Sequence, residues 1–255
     1  MGVANERSIA WGIAKACHEN GAKVAFTFQG DALEKRVRPL ATSIGSDIIL
    51  PCDVTNAASI DATFAEIEKR WGELDFLVHA IAFSNKDELK GRYIDTSPEN
   101  FQLTMNVSCY SFTSVAQRAV PLMKNGGSLL TLTYYGAERV IPHYNVMGVA
   151  KAALEASVRY LAADLGPQGV RVNAISPGPM RTLAGAVIGS ARYVYRVSRE
   201  ASPLRRNIEL TDVGGAALYY LSDLSAGVTG TVHDVAAGYH AVGMPPQGSG
   251  EHNGE

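Results

Sequence analysis

The stretch "GGSLLTLTYYGAERVIPHYNVMGVAKAALEASVRYLAADLGPQGVRVNAIS", residues 126–176, decides the fold. It opens on a short apolar run, GGSLLTLTY, bounded by glycines, which is the pattern of a buried strand. From Pro142 onward small and apolar residues recur at helical spacing, which predicts a helix. GVRVNAIS then gives a second strand. Strand, helix and strand of these lengths make a β-α-β unit, hence parallel strands joined by a right-handed crossover. Within the helix, six residues separate Tyr144 from Lys151, which puts both on one face about two turns apart. The rest of that face is small and apolar, so the two polar side chains call for a role other than packing.

The unit repeats on both sides. AKVAFTF (22–28) is a strand expectation, followed by a helix, DALEKRVRPLATSIG, whose end Pro39 disturbs. SDIILPCDV, LDFLVHAIA and TGTVHDV give further strands. Between them, AASIDATFAEIEKRWG and the long SPENFQLTMNVSCYSFTSVAQRAVPLM read as helices, and TDVGGAALYYLSD as a helix capped by Thr211. The fold class is α/β, a Rossmann-like doubly wound parallel sheet in one domain spanning 1–244. Its ligand sites are expected at the carboxyl ends of the strands. The tail PPQGSGEHNGE (245–255) is polar and Gly/Pro-rich, the composition of a disordered end.

One element is missing from the pattern. A sheet of this kind starts with a central strand feeding the first glycine-bearing turn, yet the chain opens directly on the turn and helix, MGVANERSIAWGIAKACHENG. Absence of that strand would leave two strand edges open. Either residues upstream of Met1 are lost, or another segment fills the slot. The first is the expectation.

Composition narrows the function. The 255 residues are 46% hydrophobic and 19% charged, with a formal net charge of -2, which disfavours a nucleic-acid partner. No apolar run nears the roughly 18 residues of a membrane span, and no secretory pattern opens the chain. Cys17, Cys52 and Cys109 are odd in number and far apart, unlike metal ligands, so reduced thiols and no metal site are expected.

The candidate ligand residues follow strand ends. At the N-terminus, Gly2 permits close backbone approach and Ser8 is a good cap for a helix whose free N–H groups could hold a pyrophosphate. The G-x-G-x-x-G pattern is absent, so an ordinary capped helix is an equal reading. Gln29 and Asp31 follow the second strand where an acid often meets the adenosine ribose, and the lack of an adjacent arginine leans toward NADH over NADPH. Asp53, with Val54, could cradle adenine or cap the next helix. Small Ala80 and Ala82 end another strand. Met180 and Thr182, after the Pro-Gly-Pro turn, could clamp a nicotinamide. The Lys151 ammonium could stabilise a Tyr144 phenolate and strengthen the hydroxyl as a donor, and still reach a ribose. Packing of Tyr144 and snorkelling of Lys151 are the competing readings.

The stretches GVANERSIAWGIAKA, CDVT, DLSAGVTG and, above all, YYGAERVIPHYNVMGVAKAALEASVRYLAADLGPQGVRVNAISPGPMRTLA carry a resemblance over about residues 2–244. The chain resembles the type I enoyl-acyl-carrier-protein reductases of bacterial fatty acid synthesis, a divergent branch of the short-chain dehydrogenase/reductase superfamily. Ordinary members have Tyr-x3-Lys; the x6 spacing of Tyr144 and Lys151, with Tyr134 before them, is the enoyl-reductase pattern.

The resemblance implies the roles. Tyr144 would hydrogen-bond the thioester carbonyl of a trans-2-enoyl chain, Lys151 would hold the nicotinamide ribose, and Tyr134 would line the acyl site. Gly2, Ser8, Ile9, Gln29, Asp53, Val54, Ala82, Met180 and Thr182 would line an NADH cleft. Phe83, Met147, Ala184 and the segment 184–204 would border the acyl chain. It also implies a cytoplasmic bacterial enzyme, a homotetramer, and an acyl carrier protein as partner. Residues 181–206 hold Arg181, Arg192, Arg196, Arg199, Arg205 and Arg206 against one acid, Glu200, a basic patch suited to an acidic carrier; a solvated helix face or subunit contact is the equal alternative. One departure is the closing "VAAGYHAVGM", with Ala236 and Ala237 where the family has an Asp-Gly pair before Gly238. The rivals are a carbonyl-reducing member of the superfamily, disfavoured by the spacing, and a truncated non-catalytic paralogue.

Overall fold

The structure is a computed structural model that describes residues 1–182 and 191–244. Ala184, part of the expected acyl-site segment, and the tail 245–255 lie outside the described residues.

Helices and strands alternate. Helix α1 (Ile9–Glu19) precedes β1 (Phe26–Phe28), α2 (Asp31–Ser43), β2 (Ile49–Pro51), α3 (Ala57–Trp71) and β3 (Phe76–His79). A short α4 (Lys86–Leu89), α5 (Pro98–Met105) and α6 (Ser111–Ala119) lead to β4 (Gly127–Leu132). Then come α7 (Val146–Leu165), β5 (Val170–Pro177), α8 (Ala191–Ala201), α9 (Leu210–Leu221) and β6 (Val232–Val235). Every strand pair is parallel.

Both faces of the sheet are covered, and the strand sequences show why. Successive residues of a strand point to opposite faces. In β4, Leu129 joins Phe64, Phe112, Leu154 and Val158 on the side of α3, α6 and α7. Its neighbour Leu130 joins Ile13, Val213, Ala217 and Tyr220 on the side of α1 and α9. Burial on two sides is why these strands read as unbroken apolar runs. Gly12 lets α1 and α9 meet: a Cβ there would sit 2.8 Å from the Leu210 Cβ.

The sheet is in two pieces, β1-β2 and β3-β4-β5-β6. Among the described residues no strand runs between β1 and β3. Met1 occupies one rung of that slot: its ammonium donates to the Val78 carbonyl at 2.8 Å, and the Ala80 amide donates to the Met1 carbonyl at 3.2 Å. Val3 then packs against Trp11, Phe26 and Phe28, bridging the two pieces through side chains.

Several boundaries differ from the sequence expectation. Helix α7 starts at Val146, not Pro142, because Asn145 takes φ 41°, ψ -123°. Tyr144 therefore lies in the turn that enters the helix. Pro39 lies inside α2 without ending it. The single helix expected over 97–123 is broken by a π-helical turn, Asn106–Tyr110. Glu209 caps α9 through a reciprocal capping box with Asp212, which displaces Thr211 from that role. Asn56, not Asp53, caps α3 through its side chain.

Candidate active site

The carboxyl ends of the strands carry most of the expected site residues. Gln29 follows β1, Asp53 follows β2, Ala82 and Phe83 follow β3, Tyr134 follows β4 and Met180 follows β5. The parallel sheet alone brings these distant segments to one edge.

Tyr144 is held most tightly. It is 7% exposed, and its ring meets that of Tyr134 edge-on at a centroid distance of 5.0 Å. Leu89, Ile141, Val146 and Met147 surround it, with Val194 of α8 against the same cluster. Two glycines make the space: a Cβ on Gly136 would lie 2.4 Å from Tyr144 Cδ1, and one on Gly148 would lie 2.6 Å from the Gly136 carbonyl oxygen. The residues on either side of Tyr144 carry positive φ, His143 at 63° and Asn145 at 41°. Strain of this kind persists where the surroundings over-determine it. Here Asn145 Nδ2 donates to the carbonyls of Leu89 at 3.2 Å and Gly91 at 2.9 Å, tying the entry turn to the segment after α4.

Lys151 is 5% exposed, and its ammonium donates to the Leu132 carbonyl at 2.7 Å. Burial lowers its pKa to about 8, opposed by Cys109 and Glu155. The expected field of Lys151 on Tyr144 does not appear. Burial, with Tyr134 and Glu155 behind it, pushes the Tyr144 phenol upward, so it stays a neutral donor. Tyr134 is likewise raised, by burial and then by Tyr239.

The other expected site residues lie largely in turns. Gly2 takes φ 101°, and a Cβ there would sit 2.1 Å from the Ala80 carbonyl oxygen, so no other residue fits. Ser8 holds the N-cap position of α1, but its hydroxyl does not cap. It instead accepts from the amides of Ala4 at 2.9 Å and Asn5 at 3.0 Å, closing the loop 2–8. Ile9 packs on the α1–α9 core. Asp53 Oδ1 accepts from the Thr55 amide and hydroxyl at 2.8 and 2.7 Å; these bonds, together with one from Gln29, hold its carboxyl below the usual range. Val54 packs beneath it, and Met180 packs at the far end. The Thr182 amide donates to the Met180 carbonyl at 3.0 Å.

Sequence reasoning missed three contributors, Ser108, Gly136 and Gly148. Ser108, in the π turn, accepts from the Phe83 amide at 2.9 Å and lies 3.0 Å from its carbonyl and 3.6 Å from Met147 Sδ. It fixes the backbone of Phe83, whose side chain is 54% exposed. A π turn shifts the helical period by a single residue, too small a change to read from one sequence. Among the described residues no three metal-ligating side chains converge, and no helix is long and apolar enough to cross a membrane.

The family model described as enoyl-(acyl carrier protein) reductase matches residues 2–240. The chain belongs to the enoyl-acyl-carrier-protein reductase family. It is 64% identical over 244 residues to enoyl-[acyl-carrier-protein] reductase [NADH] 1 of Rhizobium meliloti, covering 96% of this chain and 90% of that one. The enoyl reductase of Anaplasma phagocytophilum, solved in complex with NAD, superposes with a TM-score of 0.93 at 60% identity, over 96% of this chain and 94% of that one. The Bacillus cereus reductase, solved with NADP+ and an indole naphthyridinone, gives 0.94 at 50% identity over 96% of each chain.

Proposed function

We propose that residues 1–244 form one reductase domain whose cleft places Tyr144 on the substrate and Lys151 on the cofactor. The protein is an NADH-dependent enoyl-acyl-carrier-protein reductase, an oxidoreductase of bacterial fatty acid elongation. The observation that carries the assignment of residues is the packing of Tyr144 against Tyr134, with Lys151 buried behind them on α7.

The residues fit a dinucleotide. Gly2 lets the N-terminal loop close directly against the Ala80 carbonyl, and the Asp53 carboxylate stays ionised beside Gln29. Gly2, Ser8, Ile9, Gln29, Asp53, Val54, Ala82, Lys151, Met180 and Thr182 would hold NADH. When bound, NADH supplies a hydride to the β-carbon of the enoyl thioester. Negative charge then develops on the thioester oxygen. Tyr144, kept neutral by burial, donates to that oxygen more strongly as the charge grows, which lowers the barrier. Tyr134 restricts the Tyr144 ring, and Phe83 and Met147 border the acyl chain, with Ala184 assigned there from sequence alone. Lys151 would hold the nicotinamide ribose.

The carrier docks on α8. Arg192 and Arg196 are exposed there; Arg199 is also exposed but lies 3.9 Å from the Glu200 carboxylate, Arg181 stacks on Tyr195 at 4.7 Å, Arg205 binds the Glu200 carbonyl and Arg206 pairs with Asp212. Reversing the charge of Arg192 and Arg196 should raise KM for an enoyl-carrier substrate more than for an enoyl-coenzyme A; equal rises refute docking. The family resemblance supports a cytoplasmic homotetramer, which sedimentation would test. The reaction itself is tested by following NADH oxidation with crotonyl and longer enoyl thioesters, with simple ketones and NADPH as controls. A folded protein inactive on enoyl thioesters contradicts the reading.

A further inference from the structure

Glu155 is the buried acid that the chemistry above leaves unused. It lies one helical turn beyond Lys151 on α7 and is 9% exposed. Its Oε1 accepts from the Thr133 hydroxyl at 2.6 Å. Thr133 directly follows Leu132, whose carbonyl accepts from the Lys151 ammonium at 2.7 Å, and directly precedes Tyr134. One face of α7 therefore holds the end of β4 at two successive residues. A buried ammonium also needs an opposite charge nearby, because an uncompensated ion is costly in a low-dielectric interior.

We propose that Glu155 is a positioning residue of the reductase: its carboxylate keeps Lys151 charged and, through Thr133, fixes the strand end that carries Tyr134.

Glu155 is the acid one turn from Lys151 along the same face of α7. The groups facing Lys151 are Cys109 of the π turn, His79 of β3, and Glu155 itself. His79 is fully buried, its ring nitrogens 3.1 Å from Thr131 Oγ1 and 2.8 Å from Ser111 Oγ, and burial first, then Lys151, lowers its pKa to about 3. It is neutral and offers no counter-charge. A Cys109 thiol is a weak partner and already lies 3.7 Å from the Ser157 hydroxyl. Around Glu155 stand Thr133, Glu138, Arg159, Asp234 and Tyr144. Burial, then Glu138 and Asp234, push its carboxyl up, while the Thr133 bond and Arg159 hold it down.

The proposal rests on Lys151 being a cofactor contact, so the test separates the two. NADH affinity of the full chain is measured by fluorescence from about pH 6 to pH 10, alongside steady-state kinetics, for wild type, Glu155→Gln, Glu155→Asp, Thr133→Val and Lys151→Met. In Glu155→Gln the alkaline midpoint of NADH binding should fall by about one pH unit, with affinity at the acid end within about twofold of wild type. Glu155→Asp keeps the charge and guards against a folding defect; its midpoint should lie between the other two. Thr133→Val leaves both ionisable groups in place, so its midpoint should move less than in Glu155→Gln while kcat drops about tenfold. An unmoved midpoint in Glu155→Gln, or a uniform loss across pH, overturns the role in Lys151's charge, and an unchanged kcat in Thr133→Val overturns the clamp. If Lys151→Met binds NADH like wild type at every pH, the cofactor assignment of Lys151 itself fails.

Discussion

The two ends of the cleft are built differently. At the tyrosine end, side chains are buried, neighbours are fixed by packing, and backbone strain surrounds Tyr144 at His143 and Asn145. At the turn end, Gln29 is exposed and the structure is a set of backbone loops closed by Ser8 and Asp53. Burial changes what a side chain does. It holds Tyr144 neutral and makes Lys151 easy to deprotonate, while the partly exposed Asp53 only gains hydrogen bonds that favour its charge. Chemistry that depends on one protonation state belongs at the dry end, and recognition tolerant of water belongs at the wet end.

Substitutions should separate the two ends in order of size. Tyr144→Phe keeps the ring and removes the donor, and kcat/KM should fall by about 10²-fold or more, ~3–4 kcal/mol, with the melting temperature little changed. Full activity would place the stabilising donor elsewhere. Gly136→Ala drives a methyl into the Tyr144 ring and should cost about 1–3 kcal/mol of stability, measured by urea unfolding, with a loss of kcat beyond that of a control at the turn end.

The pH dependence follows from Lys151. Its folded pKa, about 8, lies below the ordinary 10.5, so above pH 8 the folded protein loses the ammonium. NADH affinity should decline above pH 8, by up to about tenfold per unit if the charge is essential. The same shift acts oppositely on stability: between pH 8 and 10.5 the unfolded chain binds the extra proton, so the Lys151 contribution to stability rises with pH. Calorimetry and NADH titration over that window should diverge in sign.

At the wet end, Gln29→Ala removes one hydrogen bond to Asp53 and should raise the KM for NADH a few-fold, ~1 kcal/mol, leaving kcat unchanged. The smallest effect is expected away from both ends. Ala237 takes φ 52°, a left-handed conformation that glycine adopts without strain. Ala237→Gly should stabilise the fold by up to about 1 kcal/mol in thermal unfolding, the gain being reduced by glycine's greater unfolded-state entropy.

The order of the elements and the parallel sheet were legible in the sequence, and with them the segments that follow strand ends. Unbroken apolar strands alternating with helices admit few topologies, and residues that follow strand ends must then meet at one edge. Tyr144 and Lys151 stood out by their spacing, which with Tyr134 carried the family resemblance. Tertiary structure alone decided what burial does to them. The true start of α7 depends on Asn145 reaching the carbonyls of Leu89 and Gly91, which are distant in sequence. The grip of Ser108 on Phe83 depends on a π turn without a sequence signature. The protonation of Tyr144, the weakened hold of Lys151 on its proton, and the apposition of Glu155 to Thr133 arise only when helix and strand close around them, because desolvation is a property of the packed interior.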